Sequence, residues 1–137
     1  MEISMSPLKS RNPAPGFLQH PDYRMDIGAP AITATATVSG HLLASTKRAV
    51  LLSENTYKPV IYFPREDVDL TKLSKSKTTS RCPFKGTATY WHLSKRPENA
   101  LDTIDICWSY EEPFKEAATI EGYIAFYSDK VTVTYCQ

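Results

Sequence analysis

Apolar and polar residues alternate along several short stretches of this chain. Between residues 31 and 38 the side chains of Ile32, Ala34, Ala36 and Val38 fall on one face of an extended segment, and threonines fall on the other. A period of two is typical of a half-buried strand, so the pattern predicts one there. The same reasoning predicts seven further strands, at residues 41–45, 48–54, 60–63, 86–93, 104–110, 122–127 and 131–135.

The segments between these strands are short and rich in turn-forming residues. Residues 1–30 contain five prolines and little periodicity, which predicts an extended arm ahead of a single domain at residues 31–137. Single helical turns are predicted at residues 64–68 and 113–118, a polar connection at 70–77, a loop at 94–103, and a closing hairpin between the last two strands. Since no helix pattern is long enough for the crossovers that parallel strands need, the expected fold class is all-β with about eight short antiparallel strands.

Composition and charge are those of an ordinary globular domain. The 137 residues are enough to bury one core, and a formal net charge of +1 argues against a nucleic-acid-binding protein. No apolar run is long enough for a membrane span, and the N-terminus has neither the basic nor the apolar region of a secretory signal. Three cysteines at wide spacing predict reduced thiols rather than a disulfide framework, so a cytoplasmic location is expected.

The turn that precedes the strand at residues 86–93 carries the most reactive side chains. Cys82 and Lys85 lie three residues apart in it, with Arg81 beside them. Cationic neighbours favour a thiolate at Cys82, and Lys85 and Arg81 could alternatively bind an anion. A third interpretation is structural, with Cys82 in a buried turn and Lys85 paired with Asp67. The residues leave all three interpretations open.

Aromatic residues on several predicted strands supply walls for a ligand site beside this turn. Tyrosine and tryptophan suit such walls because each combines an apolar ring with one polar atom. With Asp67 orienting Lys85, we expect a cleft that binds an anionic or carbonyl-bearing small molecule. The aromatic candidates are Tyr62, Trp91, Trp108 and Tyr110.

Positive and negative residues are unevenly distributed along the chain. A basic stretch without acids runs from Lys72 to Lys85, and an acidic stretch without bases runs from Glu98 to Glu112. Stretches of this kind are most often solvated faces, since exposed ion pairs contribute little. Complementary patches can also hold two copies of a chain together, so a homodimer is a possible assembly.

Taken in order, several motifs resemble those of the domain-of-unknown-function 427 family. They are Tyr62-Phe63-Pro64-x-x-Asp67-Val68, Cys82-Pro83-x-Lys85-Gly86-x-Ala88-x-Tyr90, Trp108-x-Tyr110-x-x-Pro113 and Gly122-x-Ile124-Ala125-Phe126. The resemblance implies a small domain of the β-tent type, in which two sheets meet at an angle. It also implies a topological relationship to zinc-carrying domains such as methionine sulfoxide reductase B and Mss4, and it implies no settled activity.

The family sometimes carries a nucleotidyltransferase label, and the residues argue against that activity. Nucleotidyl transfer needs metal ions held by closely spaced carboxylates, but the pair Asp67 and Asp69 follows a proline turn without the Gly-Ser lead of polymerase-type transferases. A Gly-x-x-x-x-Gly-Lys-Ser/Thr phosphate loop is also missing. No metal or cofactor is expected, because Lys85 occupies the second position of a Cys-x-x-Cys pair and a protonated amine cannot bind zinc.

The preferred interpretation is a domain that binds a small ligand beside Lys85. One alternative is an enzyme of small-molecule metabolism that uses Cys82 or Lys85 covalently, with Asp67 as a further catalytic candidate. A second alternative is a structural homodimer joined by the basic and acidic stretches.

Overall fold

The computed structural model describes residues 11–94 and 102–137. The all-β fold class is confirmed, since these residues form ten strands in three antiparallel sheets. Residues 1–10 of the predicted arm and 95–101 of the predicted loop lie outside the described ranges. The strands are β1 (Met25–Gly28), β2 (Thr33–Val38), β3 (His41–Thr46), β4 (Val50–Glu54), β5 (Val60–Tyr62), β6 (Leu73–Cys82), β7 (Gly86–Leu93), β8 (Cys107–Tyr110), β9 (Ile124–Phe126) and β10 (Thr132–Cys136).

Short helices connect these strands. The α-helix α1 spans Gly16–Gln19, and 3-10 helices span Arg65–Asp67, Leu70–Lys72 and Lys115–Ile120. The 3-10 helix Arg65–Asp67 follows Pro64, and the 3-10 helix Leu70–Lys72 follows Asp69. The Asp69 side chain accepts a hydrogen bond from the Thr71 amide and so caps the second of these helices. Among the described residues, no helix is both long enough and apolar enough to cross a bilayer.

The strands are arranged in three separate sheets. Sheet I has the order β1-β4-β5, sheet II the order β10-β2-β3, and sheet III the order β6-β7-β8-β9. Sheets I and III are joined where β5 ends, because the backbones of Phe63 and Ile124 exchange hydrogen bonds of 2.8 and 2.9 Å. The joined sheets therefore run as β1-β4-β5-β9-β8-β7-β6.

The joined sheets bend towards each other. Three strands separate β4 from β7, which in a flat sheet would place them about 19 Å apart. Yet Glu54 at the end of β4 contacts Lys85 in the turn between β6 and β7. Sheets I and III therefore meet at an angle, as the resemblance implies. We call the side on which these two residues meet the inner face.

The larger core lies between sheet II and the outer side of the joined sheets. Strand β2 alternates as its sequence predicts, with Ala34 and Ala36 fully buried and the threonines between them half-buried. The small alanine side chains let sheet II approach closely, and each large apolar residue buried there contributes about 1.5–3 kcal/mol. Its large apolar members are Ile32, Val38, Leu43, Phe63, Val68, Leu73, Leu93, Ile106, Ile124, Phe126 and Val131.

A smaller core covers the inner face. It consists of Val50, Leu52, Tyr62, Ala88, Tyr110, Ala117, Ile120 and Ala125. Several apolar residues pack against it while remaining partly exposed: Met25, Ile27, Val60, Cys82, Tyr90, Trp108 and Tyr123. Because so many of its aromatic and apolar side chains keep some access to solvent, this face rather than the larger core is where a ligand site can form.

Strand β6 is the longest element that the sequence analysis missed. The pattern predicts a polar connection at residues 70–77, which is wrong, because Leu73–Cys82 is a ten-residue strand paired with β7. It forms one edge of sheet III, so few of its residues are buried and no apolar alternation marks it. Exposed lysines such as Lys75 and Lys77 are typical of an edge strand, since they discourage pairing with another chain.

Two further predictions differ from the structure. The prediction of a closing hairpin is wrong, because β9 pairs with β8 in sheet III whereas β10 pairs with β2 in sheet II. Alternation identifies both strands but does not specify their partners. The predicted arm at residues 1–30 is also not wholly extended: it contains α1 and the strand β1, which pairs with β4 from Met25 opposite Glu54.

Candidate functional site

Lys85 lies at the centre of the candidate site, in the turn between β6 and β7. Cys82 and Gly86 are partners across this turn, and Gly86 has a φ of +127°, a conformation that favours glycine. The Lys85 side chain is 12% exposed, and its Nζ lies 2.5 Å from Oε1 of Glu54. The contact is necessary, because a buried charge without a partner is strongly unfavourable.

Glu54 reaches Lys85 from the end of β4. It follows Val50 and Leu52 at intervals of two residues, so the three side chains point to the same side of the strand. The Glu54 side chain is 14% exposed. Its second carboxylate oxygen, Oε2, accepts a hydrogen bond of 2.5 Å from the hydroxyl of Tyr23. The carboxylate thus joins an amine on one side to a phenol on the other.

Aromatic rings line the inner face beside this ion pair. Nζ of Lys85 lies 5.8 Å from the centre of the Tyr110 ring, within the range of a cation–π interaction. Nε1 of Trp108 donates a hydrogen bond of 3.2 Å to the hydroxyl of Tyr62, and the two rings meet edge to face. Cys82 is half-buried and packs against the same core. Five of the residues predicted from the sequence to form the site therefore lie together on the inner face: Tyr62, Cys82, Lys85, Trp108 and Tyr110.

Asp67 is not the partner of Lys85. Its carboxylate accepts a hydrogen bond of 2.7 Å from Oγ1 of Thr46 and forms an ion pair of 3.2 Å with Arg48. The physical reason is that Pro64 ends the extended segment after β5, and the 3-10 helix that follows carries Asp67 towards β3. Glu54 therefore takes the place that the sequence analysis gave to Asp67.

Trp91 and Arg81 also lie away from the inner face. Trp91 alternates with Tyr90 along β7, so its ring is on the opposite side of sheet III, where its Nε1 donates a hydrogen bond of 3.2 Å to Oγ of Ser109. Arg81 is exposed on β6, with its guanidinium group 5.5 Å from the centre of the Phe114 ring. The predicted cleft therefore lacks both side chains.

Burial raises the pKa of the tyrosines around the ion pair. For Tyr62 and Tyr110 the loss of hydration is the largest cause, and the negative charge of Glu54 adds to it, while the hydrogen bond from Trp108 opposes it at Tyr62. For Tyr23, burial and the hydrogen bond to Glu54 raise the pKa together. These phenols therefore stay protonated, and remain hydrogen-bond donors, well above neutral pH.

We expect the protein to lose stability in alkaline solution for this reason. Tyrosines in the unfolded chain release their protons near pH 10, whereas the raised pKa values of the buried Tyr62 and Tyr110 keep their protons in place in the folded state. Above that pH the unfolded chain binds fewer protons, so Tyr62 and Tyr110 each lower the free energy of unfolding by about 1.4 kcal/mol per pH unit. Denaturant titrations at several alkaline pH values measure this slope. Tyr110→Phe should make the slope shallower by about 1.4 kcal/mol per pH unit, the contribution of one tyrosine. An unchanged slope would contradict the raised pKa of Tyr110 in the folded state.

Comparison with known protein families identifies the family of the chain. A family model described as a domain of unknown function (DUF427) matches residues 31–137, which is more than half of the chain. The chain belongs to this family. The resemblance inferred from the motifs is thereby confirmed. No curated protein matches the chain.

The region matched by DUF427 contains most of the site but not all of it. Glu54, Cys82 and Lys85 lie within residues 31–137, whereas Tyr23 precedes them. Sequence reasoning missed Glu54 and Tyr23 as members of the site. A signal for Glu54 exists, because its carboxylate continues the apolar face of β4 beyond Leu52. Tyr23 lies in a proline-rich stretch without periodicity, and no comparable signal marks it.

The side chains on the inner face of this DUF427 domain present mainly hydrogen-bond donors. An ammonium group has three N–H bonds, so Lys85 keeps donors beyond the one directed at Glu54. The hydroxyl of Tyr62 accepts a hydrogen bond from Trp108 and retains its own proton. Both carboxylate oxygens of Glu54 already accept hydrogen bonds from neighbours. This set of groups suits a ligand that brings acceptor oxygens.

Proposed function

We propose that this domain binds a small anionic or carbonyl-bearing ligand on its inner face, beside Lys85. The observation that carries the proposal is a largely buried amine held by a carboxylate among aromatic side chains. A buried ion pair is often no more stabilising than apolar side chains of the same volume, so its presence at this position calls for another role. Recognition of a charged or polar ligand supplies that role.

The polar part of the site favours acceptor oxygens. A cation in surroundings of low dielectric interacts more strongly with an anion than it would in water. Glu54 fixes the position of the Lys85 amine, and Tyr62 and Tyr110 belong to the core of the same face. A carboxylate or carbonyl oxygen that reaches Lys85 would accept a hydrogen bond from an amine that Glu54 already holds in place, which lowers the cost of binding.

The apolar part of the site favours a ligand with a flat body. Trp108 is only partly buried and borders a cavity of about 510 Å³, whose other walls come from residues 58–61, residues 126–128 and the side of β10 that carries Val133 and Tyr135. This volume is in the range of small-molecule pockets. Trp108 borders the cavity and also donates its hydrogen bond to Tyr62. A ring held in this cavity would contact Trp108 and, through it, the Tyr62 hydroxyl, while Lys85 lies outside the cavity walls.

Ligand binding is expected to depend on Lys85. A thermal-shift panel of aromatic carboxylates, aliphatic keto acids, aldehydes and inorganic phosphate would identify ligands, because a compound that binds only the folded state raises its stability. Each hit is then measured with the double variant Glu54→Gln, Lys85→Met, in which both buried charges are removed together. A lost hydrogen bond to a charged group should weaken binding by about 10- to 100-fold.

The control for this experiment is Lys47→Met, which removes an exposed lysine from the connection between β3 and β4. It carries the same chemical change as Lys85→Met at a position away from the site, so binding should stay at the level of the unmodified protein. Equal affinity in the double variant and in the control would exclude Lys85 as a ligand contact.

The position of Cys82 favours a second candidate function, an enzyme that forms a covalent bond through its thiol. The thiol is half-buried against the inner face and lies three residues before Lys85. Mass spectrometry after incubation with the aldehydes of the same panel separates the two candidates. An adduct on Cys82 without one on the exposed Cys136 would support the enzyme. Bound ligand with an unmodified Cys82 would support binding alone.

A further inference from the structure

Residues 11–23, which we call the N-terminal strap, connect three parts of the domain that surround the site. At its beginning, the carbonyl of Asn12 accepts a hydrogen bond of 2.8 Å from the amide of Lys115. The amide of Ala14 donates a hydrogen bond of 2.8 Å to Oε1 of Glu116. Both partners belong to the 3-10 helix Lys115–Ile120, which contributes two residues to the core of the inner face.

The middle of the strap is held on the turn that carries Lys85. The amide of Gly16 donates a hydrogen bond of 2.9 Å to the carbonyl of Pro83. A side chain could not be accommodated at position 16, because a Cβ atom there would lie 2.7 Å from the Phe84 ring and 2.9 Å from the carbonyl oxygen of Pro83. The ring of Phe17 meets Phe84 edge to face at 5.0 Å. Close packing of a glycine thus fixes the strap to this turn.

At the end of the strap, Tyr23 lies against the ion pair of Glu54 and Lys85. Its ring stacks on Phe84 with centres 3.7 Å apart, and its hydroxyl donates to Glu54. On the other side, Tyr23 and Phe84 line an open cavity of about 530 Å³, together with His20, Asp22 and Asn55. Tyr23 therefore borders solvent-filled space on one side and contacts the buried carboxylate on the other.

We propose that the N-terminal strap gates the ligand site, with Tyr23 as a positioning residue that holds Glu54 against Lys85. The proposal rests on the function proposed above. Because the ion pair has little access to solvent, a ligand can reach it only after something moves. The strap is the segment whose contacts lie between the open cavity and the pair, and small anionic or carbonyl compounds would enter when the Tyr23–Phe84 stack opens.

Acylation of Lys85 by the N-hydroxysuccinimide ester of acetic acid tests this directly in the full chain. The rate is read by mass spectrometry, and hydrogen exchange of the strap amides is measured in parallel. Gly16→Val should release the strap, raise its exchange, and raise the acylation rate of Lys85 about tenfold, because an overpacked contact readily opens locally. Tyr23→Phe keeps the ring stack and removes the hydroxyl. It should raise acylation several-fold while strap exchange stays unchanged.

Two controls separate these effects from general destabilisation. Leu18→Ala changes a side chain on α1 that is 85% exposed, and Tyr57→Phe removes a hydroxyl from a tyrosine that is 70% exposed. Neither should change the acylation rate of Lys85. Tyr23→Phe removes one hydrogen bond to a charged group, so a modest fall in its melting temperature is expected. Acylation is therefore measured well below the melting temperature of every variant, where a faster reaction reports the position of Glu54 and Lys85 rather than unfolding.

Several results would overturn the proposal. Faster strap exchange in Gly16→Val with acylation at the original rate would show that the strap does not guard Lys85. Acylation at the original rate in Tyr23→Phe would remove Tyr23 as a positioning residue. If Gly16→Val leaves the strap protected, the measurement is repeated with Glu116→Ala added, and continued protection would contradict the attachment of the strap through these contacts.

The failure of this proposal can be told apart from the failure of the ligand site. Acylation is measured without ligand, so a negative result removes the gate and leaves the binding proposal in place. If acylation depends on the strap but no compound of the panel binds, the strap shields Lys85 and the proposed ligand class is wrong.

Discussion

Lys85→Met is expected to lower the free energy of unfolding by about 3 kcal/mol. Removing one partner of a buried ion pair leaves the other charge without compensation, at a typical cost of about 3–5 kcal/mol. The lower value applies to this pair because Glu54 keeps its hydrogen bond from Tyr23 and retains slight exposure. Denaturant titration of the purified variant measures the change directly.

The double variant Glu54→Gln, Lys85→Met provides the matched control for this prediction. It removes both charges, so no uncompensated group remains, and its stability should return to within about 1 kcal/mol of the unmodified protein. With the single variant Glu54→Gln it completes a double-mutant cycle, and the coupling energy should exceed about 1 kcal/mol. Additive losses in the cycle would show that the contact between the two side chains contributes nothing.

Phe63→Ala should cost even more than Lys85→Met, with a loss of about 3–5 kcal/mol in the free energy of unfolding. The Phe63 side chain is fully buried in the larger core and meets Phe126 edge to face, so truncation leaves a cavity. Its backbone also joins sheets I and III through Ile124. Alanine retains these backbone hydrogen bonds, so the loss of stability reports the cavity left by the ring.

Tyr57→Ala is the control, because it removes an aromatic side chain of similar size that is largely exposed. It should change the free energy of unfolding by less than about 0.5 kcal/mol. Equal losses from the two truncations would contradict the assignment of Phe63 to the core.

The fold class could be predicted because half-buried strands carry a period of two in their sequence. Strand β7 is the clearest case, with bounds that match the prediction at both ends. Strand β6 was missed because an edge strand with one buried leucine near its start shows no alternation. The partners of β9 and β10 could not be derived, since alternation fixes which face is buried and leaves the choice of sheet to packing.

The candidate site could be predicted only where the chemistry was local. Cys82 and Lys85 share one turn, so their proximity follows from the spacing alone. The choice between Asp67 and Glu54 as the partner of Lys85 depends on how the joined sheets bend, which is a property of the whole chain. Tyr23 depends further on the close packing of Gly16 on Phe84, a contact between distant segments that no local pattern reveals.

The proposed function requires that Lys85 be a sheltered, carboxylate-bound amine at a ligand site. The most direct test of this is the proton exchange rate of the lysine ammonium groups, measured in a ¹H–¹⁵N NMR spectrum. A lysine amine that is sheltered from water and held by a carboxylate exchanges its protons slowly, whereas exposed amines exchange too fast to be seen. We predict one slowly exchanging signal from Lys85 that disappears in Glu54→Gln and shifts when a carboxylate ligand binds. A Lys85 amine that exchanges as fast as that of Lys47 would contradict the buried ion pair and the site built on it.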